Sequence, residues 1–391
     1  MKTAFKLAWR NLIGAGLRTW LNVLVLSFSY VVIIWMQGVM AGWDYQAKRD
    51  MSEWQIADGQ YWHQDYDPYD LFTLAESHAP IPQVFEKEIR EDRMMPLLLV
   101  QGTLYPEGRL QTVIIKGIDP KQNILKLPSH SLDTLVDAIP AFIGQGMARN
   151  LKLEKGDRML MRWRDEHGTF DAEEVLIVDV FASNVPAVEA GQIYIPLETL
   201  EKMTGLHQNA TLFVFREEAA NMANVPPFKL KTKAGLTRSV DELIQTKQAG
   251  QSVFYIILLL LAMLAIFDTQ VLSVFRRQKE IGTYVALGYT RWAVVRLFTV
   301  EGGMHAVLAA VAATAYGLPF LAWQAKAGWT MPMDVSEYGM AIAQTLYPKY
   351  SLGLVVFTIL LVLFTTTLVS YLPSRKIAKM NPTDALRGKI Q

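Results

Sequence analysis

The 391-residue chain contains no cysteine. Disulfides, thiolate metal sites and cysteine nucleophiles are excluded, while the redox compartment stays open, because a cysteine-free domain can sit on either side of a membrane. Charge is also scarce, at 19% of residues against about 25% in ordinary soluble domains. The signs nearly cancel, to a formal net +1, so the concentrated basic face of a nucleic-acid binder is missing and no nucleic-acid partner is expected. No G-x-x-x-x-G-K-S/T loop occurs, so the chain cannot cradle ATP phosphates by that route. A G-x-S-x-G elbow is absent too. His63, His78, His130, His167 and His207 are scattered, without metal-ligand spacing, and read as surface or packing residues. No catalytic site, metal site or cofactor is expected, and a membrane-bound enzyme is disfavoured.

What the chain has in quantity is apolar sequence. Hydrophobic residues make up 51% of it. A membrane-spanning helix needs about 20 mostly apolar residues, and four stretches qualify: residues 19–41, 253–274, 293–320 and 352–372. The first carries no charge, far exceeds the 7–15 apolar residues of a signal peptide, and reads as an uncleaved anchor. Lys2, Lys6, Arg10 and Arg18 precede the first stretch. Arg276, Arg277, Lys279 and Arg291 separate the second and third, and Arg375, Lys376, Lys379, Arg387 and Lys389 follow the fourth. Alternating spans put all three basic regions on one side, which the positive-inside rule makes the cytoplasm. Residues 1–18 (with an amphipathic helix over 3–16 lying in the headgroups), the 275–292 loop and the 373–391 tail then face the cytoplasm. Residues 42–252 and the short loop 321–351 lie outside.

Residues 42–252 read as mixed α and β. Leu110–Ile118, Glu174–Phe181 and Gly191–Ile195 are apolar and β-branched, as strands are. Leu197–Met203 suits a short helix after Pro196, and Lys155-Gly156-Asp157 a turn before a strand at Arg158–Trp163. Asp65, Asp67 and Asp70 cluster in a tyrosine-rich segment, but the calcium-loop pattern with its glycine and distal glutamate is missing, and a solvated loop is expected. The fold class is thus an α-helical membrane protein of four transmembrane helices, with a large extracytoplasmic α+β domain inserted between helices 1 and 2.

The most specific stretch is Ser273–Arg296, SVFRRQKEIGTYVALGYTRWAVVR. Gly282 and Gly288 punctuate a short amphipathic helix-turn-helix, and Thr290 sits where an N-cap precedes the third span. Ile281, Tyr284, Val285 and Leu287 offer an apolar cytoplasmic surface that lipid cannot cover, which points to a partner.

These residues resemble the signature of the MacB/LolC-LolE/FtsX permease superfamily of ABC transporters (type VII), a close variant of R-x-x-E-I-G-x-x-x-A-L-G-A-T. The matching positions are Arg277, Glu280, Ile281, Gly282, Ala286, Leu287, Gly288 and Thr290, with Tyr289 in place of the usual small residue. Glu301 resembles the family's acidic residue early in the third helix. Leu7–Thr19 and Leu372–Arg387 resemble its opening and its ending, and Ile143–Leu160 and Val178–Leu206 its external module. Gln37–His63 is similar to the lipoprotein-releasing LolC/LolE-like branch. The resemblance implies that residues 277–290 dock on a dimer of ABC ATPase subunits, where ATP and Mg are bound. MacB carries that ATPase in its own chain; this protein must borrow one. The implied protein sits in a bacterial inner membrane, surrounded by lipid, and pairs with a second permease copy or a homologous permease. Further implied partners are a periplasmic adaptor, a lipoprotein or an outer-membrane protein.

Asp268, Arg296, Glu301 and His305 fall within or at the edges of the spans, where ionisable residues are costly and usually face protein or water. Asp268 and Arg296 are expected to pair near the cytoplasmic interface. Glu301 and His305, four apart, share a helix face and suit a proton relay, helix–helix hydrogen bonding or capping of a dimer seam. Thr365, Thr366, Thr367 and Ser370 suit close helix packing. Two functions follow. One is a permease that passes ATP-driven motion to amphipathic cargo (a lipoprotein, peptide or hydrophobic drug) at the outer leaflet. The other is an FtsX-like transmitter that activates an external protein.

Overall fold

A computed structural model describes residues 16–183, 185–216, 225–330 and 345–379. The helix expected over 3–16 and the tail beyond Lys379 lie outside the described residues, as do residues 331–344 of the short loop. The chain forms two compact units. One comprises the sequence up to Gly42, Ile244–Trp329 and the sequence from Tyr347 onward; the other is Trp43–Leu243 with Thr330–Leu346.

Along the chain run α1 (Leu17–Met51), β1 (Gly59–His63), β2 (Ala79–Pro80), α2 (Gln83–Arg90), β3 (Met94–Tyr105), β4 (Gln111–Ile118) and β5 (Ile139–Gly144). Next come α3 (Gln145–Leu151), β6 (Arg158–Arg164), β7 (Phe170–Phe181), β8 (Gln192–Pro196), α4 (Leu197–Thr204), β9 (Asn209–Ala210), β10 (Leu212–Phe215) and β11 (Phe228–Thr232). The chain then enters α5 (Arg238–Arg276), α6 (Gln278–Ala286), α7 (Arg291–Ala327) and α8 (Leu352–Ser374).

Among the described residues, four helices, α1, α5, α7 and α8, are long and apolar enough to cross a membrane. Three outrun their apolar cores: at 1.5 Å per residue the 39 residues of α5 extend about 58 Å, nearly twice the hydrocarbon thickness. The helical unit packs Val23, Leu26 and Tyr30 of α1 with Ala262 and Ile266 of α5, Ala309 and Ala313 of α7, and Val362 of α8. Apolar contact alone drives helices together weakly in lipid, so small residues that permit close approach matter more. A Cβ on Gly302 of α7 would stand 2.1 Å from Ser370 Oγ of α8, and one on Gly303 2.8 Å from Thr367 Oγ1. Polar links add to this. Asn22 donates to Thr269 Oγ1 at 2.6 Å, and the Tyr316 hydroxyl to Ser27 Oγ at 3.2 Å.

The second unit is built on one sheet that closes partly on itself. Strands β3, β4, β8, β5, β7 and β6 are neighbours in that order, and β6 pairs back onto β3 between Gly102↔Trp163 and Tyr105↔Leu160. The result is a six-stranded barrel. The other half of β3, Met94–Leu97, pairs instead with β10, which leads through β1 to β11. Strict alternation in β6 sends Met159, Met161 and Trp163 inward and leaves Arg158, Leu160, Arg162 and Arg164 outside. Inside, these join Ile115, Ile143, Val175, Ile177 and Ile193, sealed by Met147 and Leu151 of α3 and Leu200 of α4. A second layer covers the opposite face of β4, β5 and β8, where Phe142 stacks on Tyr194 at 4.8 Å and Trp54 on Phe181 at 5.7 Å.

The segments read as strands lie in β4, β6, β7 and β8, and the segment read as a helix is α4. β10 and the Met94–Leu99 half of β3 went unread, since both are buried throughout and show no alternation. The aspartates of the tyrosine-rich loop shape its backbone: Asp67 Oδ1 accepts from the Tyr69 amide and Asp70 Oδ1 from the Phe72 amide, each at 2.9 Å.

One residue in this unit contradicts its surroundings. Lys116 of β4 lies within the second apolar layer, 9% exposed, with its Nζ 5.7 Å from the centre of the Tyr194 ring. Burial pushes its amine from 10.5 down to about 8. The unfolded chain therefore binds more protons than the native state between those values, so stability rises with pH across that window. Lys116→Met is expected to stabilise the protein near pH 7 by on the order of 3 kcal/mol, with the gain shrinking as pH climbs from about 8 to about 10.5. Unfolding of the full-length protein in detergent, near pH 7 and near pH 10, checks this. An equal gain at both would show that Lys116 is no harder to charge in the native state.

Candidate coupling site

The segment between the second and third apolar helices is a short helix held by its two ends. α5 stops at Arg276, α6 runs for nine residues, and the chain reverses at Gly288 with φ +92°. Leu287, Gly288 and Tyr289 each donate a backbone hydrogen bond back to α6, at 2.9, 3.1 and 3.0 Å. Gly288 occupies the left-handed region that closes helix ends, where a side chain would be strained even though open space surrounds it. Thr290 then caps α7, its hydroxyl accepting from the Ala293 amide at 3.2 Å.

Arg277 is the hub. Its Nη1 donates to both carboxylate oxygens of Glu301 at 2.9 Å, and its Nε donates to Glu280 at 2.7 Å. Its guanidinium also lies 4.8 Å from the centre of the Phe298 ring. The Glu301 side chain is only 9% exposed and that of Arg277 18%, so the pair is largely withdrawn from solvent. Arginine suits the place because its planar fork serves two carboxylates and an aromatic face at once, which an ammonium cannot do. The clasp ties the start of α6 to the third turn of α7.

The signature residues divide into two sets. Ile281 and Gly282 are buried. Ile281 packs with Val274, Val294, Val295 and Phe298, and with Ile377 just beyond α8. Tyr284 and Val285 lean on the same cluster. The apolar surface expected from Ile281, Tyr284, Val285 and Leu287 is therefore corrected: three of the four pack inward, because α7 and the end of α8 supply the cover that lipid cannot. The face turned to solvent holds Glu280, Ala286, Leu287 (72% exposed), Gly288, Tyr289 and Thr290, continued by Trp292. Tyr289 is braced edge-on against Tyr284 at 5.8 Å.

The intramembrane ionisable residues separate likewise. His305 binds backward to its own helix, with Nδ1 3.2 Å from the Glu301 carbonyl and 3.3 Å from that of Gly302. Its Nε2 is buried with no hydrogen-bond partner among the described residues. The expected pairing of Asp268 with Arg296 does not form. Gln270 of α5 lies opposite Gly302 of α7, so Arg296, six residues before that point, stands about 9 Å nearer the start of its helix. Both side chains are exposed. Sequence reading missed the Arg277–Glu301 pair, which joins residues 24 apart. The available signal was two opposite charges entering the apolar segments at matching depth, from the end of one and the beginning of the next.

Residues 252–382 match the family model described as FtsX-like permease C-terminal, a stretch that contains the whole of this site. The chain is also similar to the macrolide export ATP-binding/permease protein MacB of Chromobacterium violaceum, with 27% identity over 159 residues. That alignment covers 38% of this chain and 22% of MacB, so the chain spans about a fifth of that relative's length. The chain carries an FtsX-like permease C-terminal domain, and the two findings together support its place in the ABC permease superfamily.

Truncating Glu301 leaves the largely buried Arg277 with only the exposed carboxylate of Glu280, whereas a buried charge left with no partner at all costs about 3 kcal/mol or more. Glu301→Ala is therefore expected to lower the thermal unfolding midpoint clearly, whereas the double change Arg277→Met with Glu301→Leu recovers most of the loss. Calorimetry in detergent of the native protein, Arg277→Met, Glu301→Leu and the double variant closes the cycle and measures the coupling; additive effects would show that the clasp contributes nothing as a pair.

Proposed function

We propose that the protein is the membrane subunit of an ATP-driven ABC assembly and that the outward face of α6 docks on its ATPase. The observation that carries this reading is the clasp. One arginine holds both the exposed docking helix, through Glu280, and the buried start of α7, through Glu301. A push on α6 reaches α7 through charged hydrogen bonds and a packed cluster. From α7 it reaches α8 through the glycine contacts at Gly302 and Gly303.

ATP and Mg are bound by the ATPase dimer, and this chain converts closure of that dimer into motion of its helices and of the α/β unit outside the membrane. The site would sit on the cytoplasmic side of a bacterial inner membrane, as the positive-inside asymmetry directs. The cargo class that fits is amphipathic: a lipoprotein, as in the lipoprotein-releasing branch, a peptide or a hydrophobic drug handled at the outer leaflet.

Gly282 is buried, so a bulky residue there would break packing and could not distinguish docking from folding. Leu287 and Tyr289 are the better probes. Leu287→Asp and Tyr289→Asp are expected to leave expression and thermal stability of the protein unchanged while abolishing recovery of an ATPase with the tagged chain from mild detergent. Glu280→Lys is expected to weaken it. Undiminished ATPase recovery by the two aspartate variants would sink the docking assignment.

A further inference from the structure

Two arginines of the helical unit end in one groove with nothing to pair with. Arg296 of α7 is exposed, and it lies five residues past Arg291, about 7.5 Å into the helix. Arg375 closes the end of α8 and is exposed as well. Neither guanidinium has a hydrogen-bond or ion-pair partner among the described residues. The carboxylates described in this unit are Asp268, Glu280 and Glu301. Arg277 holds the last two, and Asp268 belongs to α5.

The register of α7 against α8 brings the two arginines to the same place. Gly302 meets Ser370 and Gly303 meets Thr367, so the helices run in opposite directions. Arg296 lies seven residues before Gly303, two turns along the same side of α7, and Arg375 lies eight residues beyond Thr367 on α8. Both steps lead to the same end of the groove. The turn that begins at Arg375 confirms the level, since its Ile377 packs on Val294, Val295 and Phe298 of α7. α5 lies on the other side of α7, where Val274 and Arg277 meet Phe298 and Glu301. Away from the arginines the groove is apolar and open: Val307 and Val311 of α7 and Leu360 and Phe364 of α8 are exposed. They continue the sides marked by Gly303 and Thr367 at spacings of three and four.

We propose that the α7–α8 groove holds one anionic phospholipid of the cytoplasmic leaflet, with its phosphate clamped between Arg296 and Arg375 and its acyl chains lying along the apolar stripes. Cations at one end and exposed apolar side chains along the rest are the complement of such a molecule. An arginine inside an apolar segment is costly unless its long side chain reaches the headgroups, and there its planar fork meets phosphate oxygens in pairs. Two guanidinium groups with no carboxylate beside them select a net negative headgroup over a zwitterionic one, whose ammonium they repel. The bound lipid ties α7 to the end of α8 on the side opposite the Arg277–Glu301 clasp. The inference rests on the permease reading only in taking α7 and α8 as membrane spans with their basic ends in the cytoplasm; it does not require that α6 dock on an ATPase.

Native mass spectrometry of the purified full-length chain in mild detergent tests this, with phosphatidylglycerol and phosphatidylcholine of identical acyl chains supplied at equal concentration. The chain is expected to retain one phosphatidylglycerol in preference to phosphatidylcholine. Arg296→Gln and Arg375→Gln are each expected to lower that retention about fivefold, the worth of one cation at an anionic headgroup. Arg276→Gln removes an exposed arginine at the end of α5, outside the groove, and is expected to change nothing. Glycerol phosphate, a headgroup without acyl chains, is expected not to displace the lipid. Phosphatidylglycerol is also expected to raise the thermal unfolding midpoint of the native chain but not that of the double variant, whose midpoint without lipid shows that it is folded. Equal retention of the two lipids, an equal loss with Arg276→Gln, or displacement by glycerol phosphate overturns the proposal. Recovery of the ATPase with the native chain is scored in parallel. Loss of lipid selectivity with the ATPase recovered counts against this inference alone, and intact selectivity with no ATPase recovered counts against the docking reading alone.

Discussion

The helical unit is organised by the scarcity of places where a charge can rest inside an apolar bundle. Arg277 and Glu301 solve the problem for each other. Because the solution is short-range and directional, it also fixes where α6 lies against α7. Breaking or forming a contact of this kind has a discrete energetic consequence, unlike the gradual sliding that apolar side chains tolerate. Packing around Phe298 and Ile377 then excludes water from the pair, which strengthens the attraction it shields.

The same scarcity explains the division of labour within the signature. Residues that look uniform as a pattern do unlike things once folded. Ile281 and Gly282 hold α6 down, Gly288 and Thr290 turn the chain into α7, Glu280 joins the clasp, and Leu287 and Tyr289 stay exposed. The exposed face of α6 is thus carried on an element that cannot shift without disturbing α7.

Much of this was legible in the sequence, and the part that was not has a common physical cause. Long apolar runs announce themselves because no soluble alternative can hide them, and Gly288 and Thr290 are read from local chemistry alone. β4, β6, β7 and β8 were legible from β-branched or alternating sequence. By contrast, the inward turn of Ile281, Tyr284 and Val285, the Arg277–Glu301 pair and the separation of Asp268 from Arg296 all depend on how two distant helices are registered. The first half of strand β3 was lost for a related reason: both faces of Met94–Leu99 are covered, so burial erased the period that would have marked it.

That strand has a mechanical role apart from its place in the core. Its twelve residues belong to two structures at once, the first four laddered to β10 and the last four to β6 of the barrel. The edge sheet and the barrel therefore have no linker between them. A load applied along β10 or β1 is borne in shear by ladders of backbone hydrogen bonds, which resist together, and reaches the barrel wall with little slack. Within the α/β unit, stiffness is built into one continuous backbone, and any compliance must come from the loops.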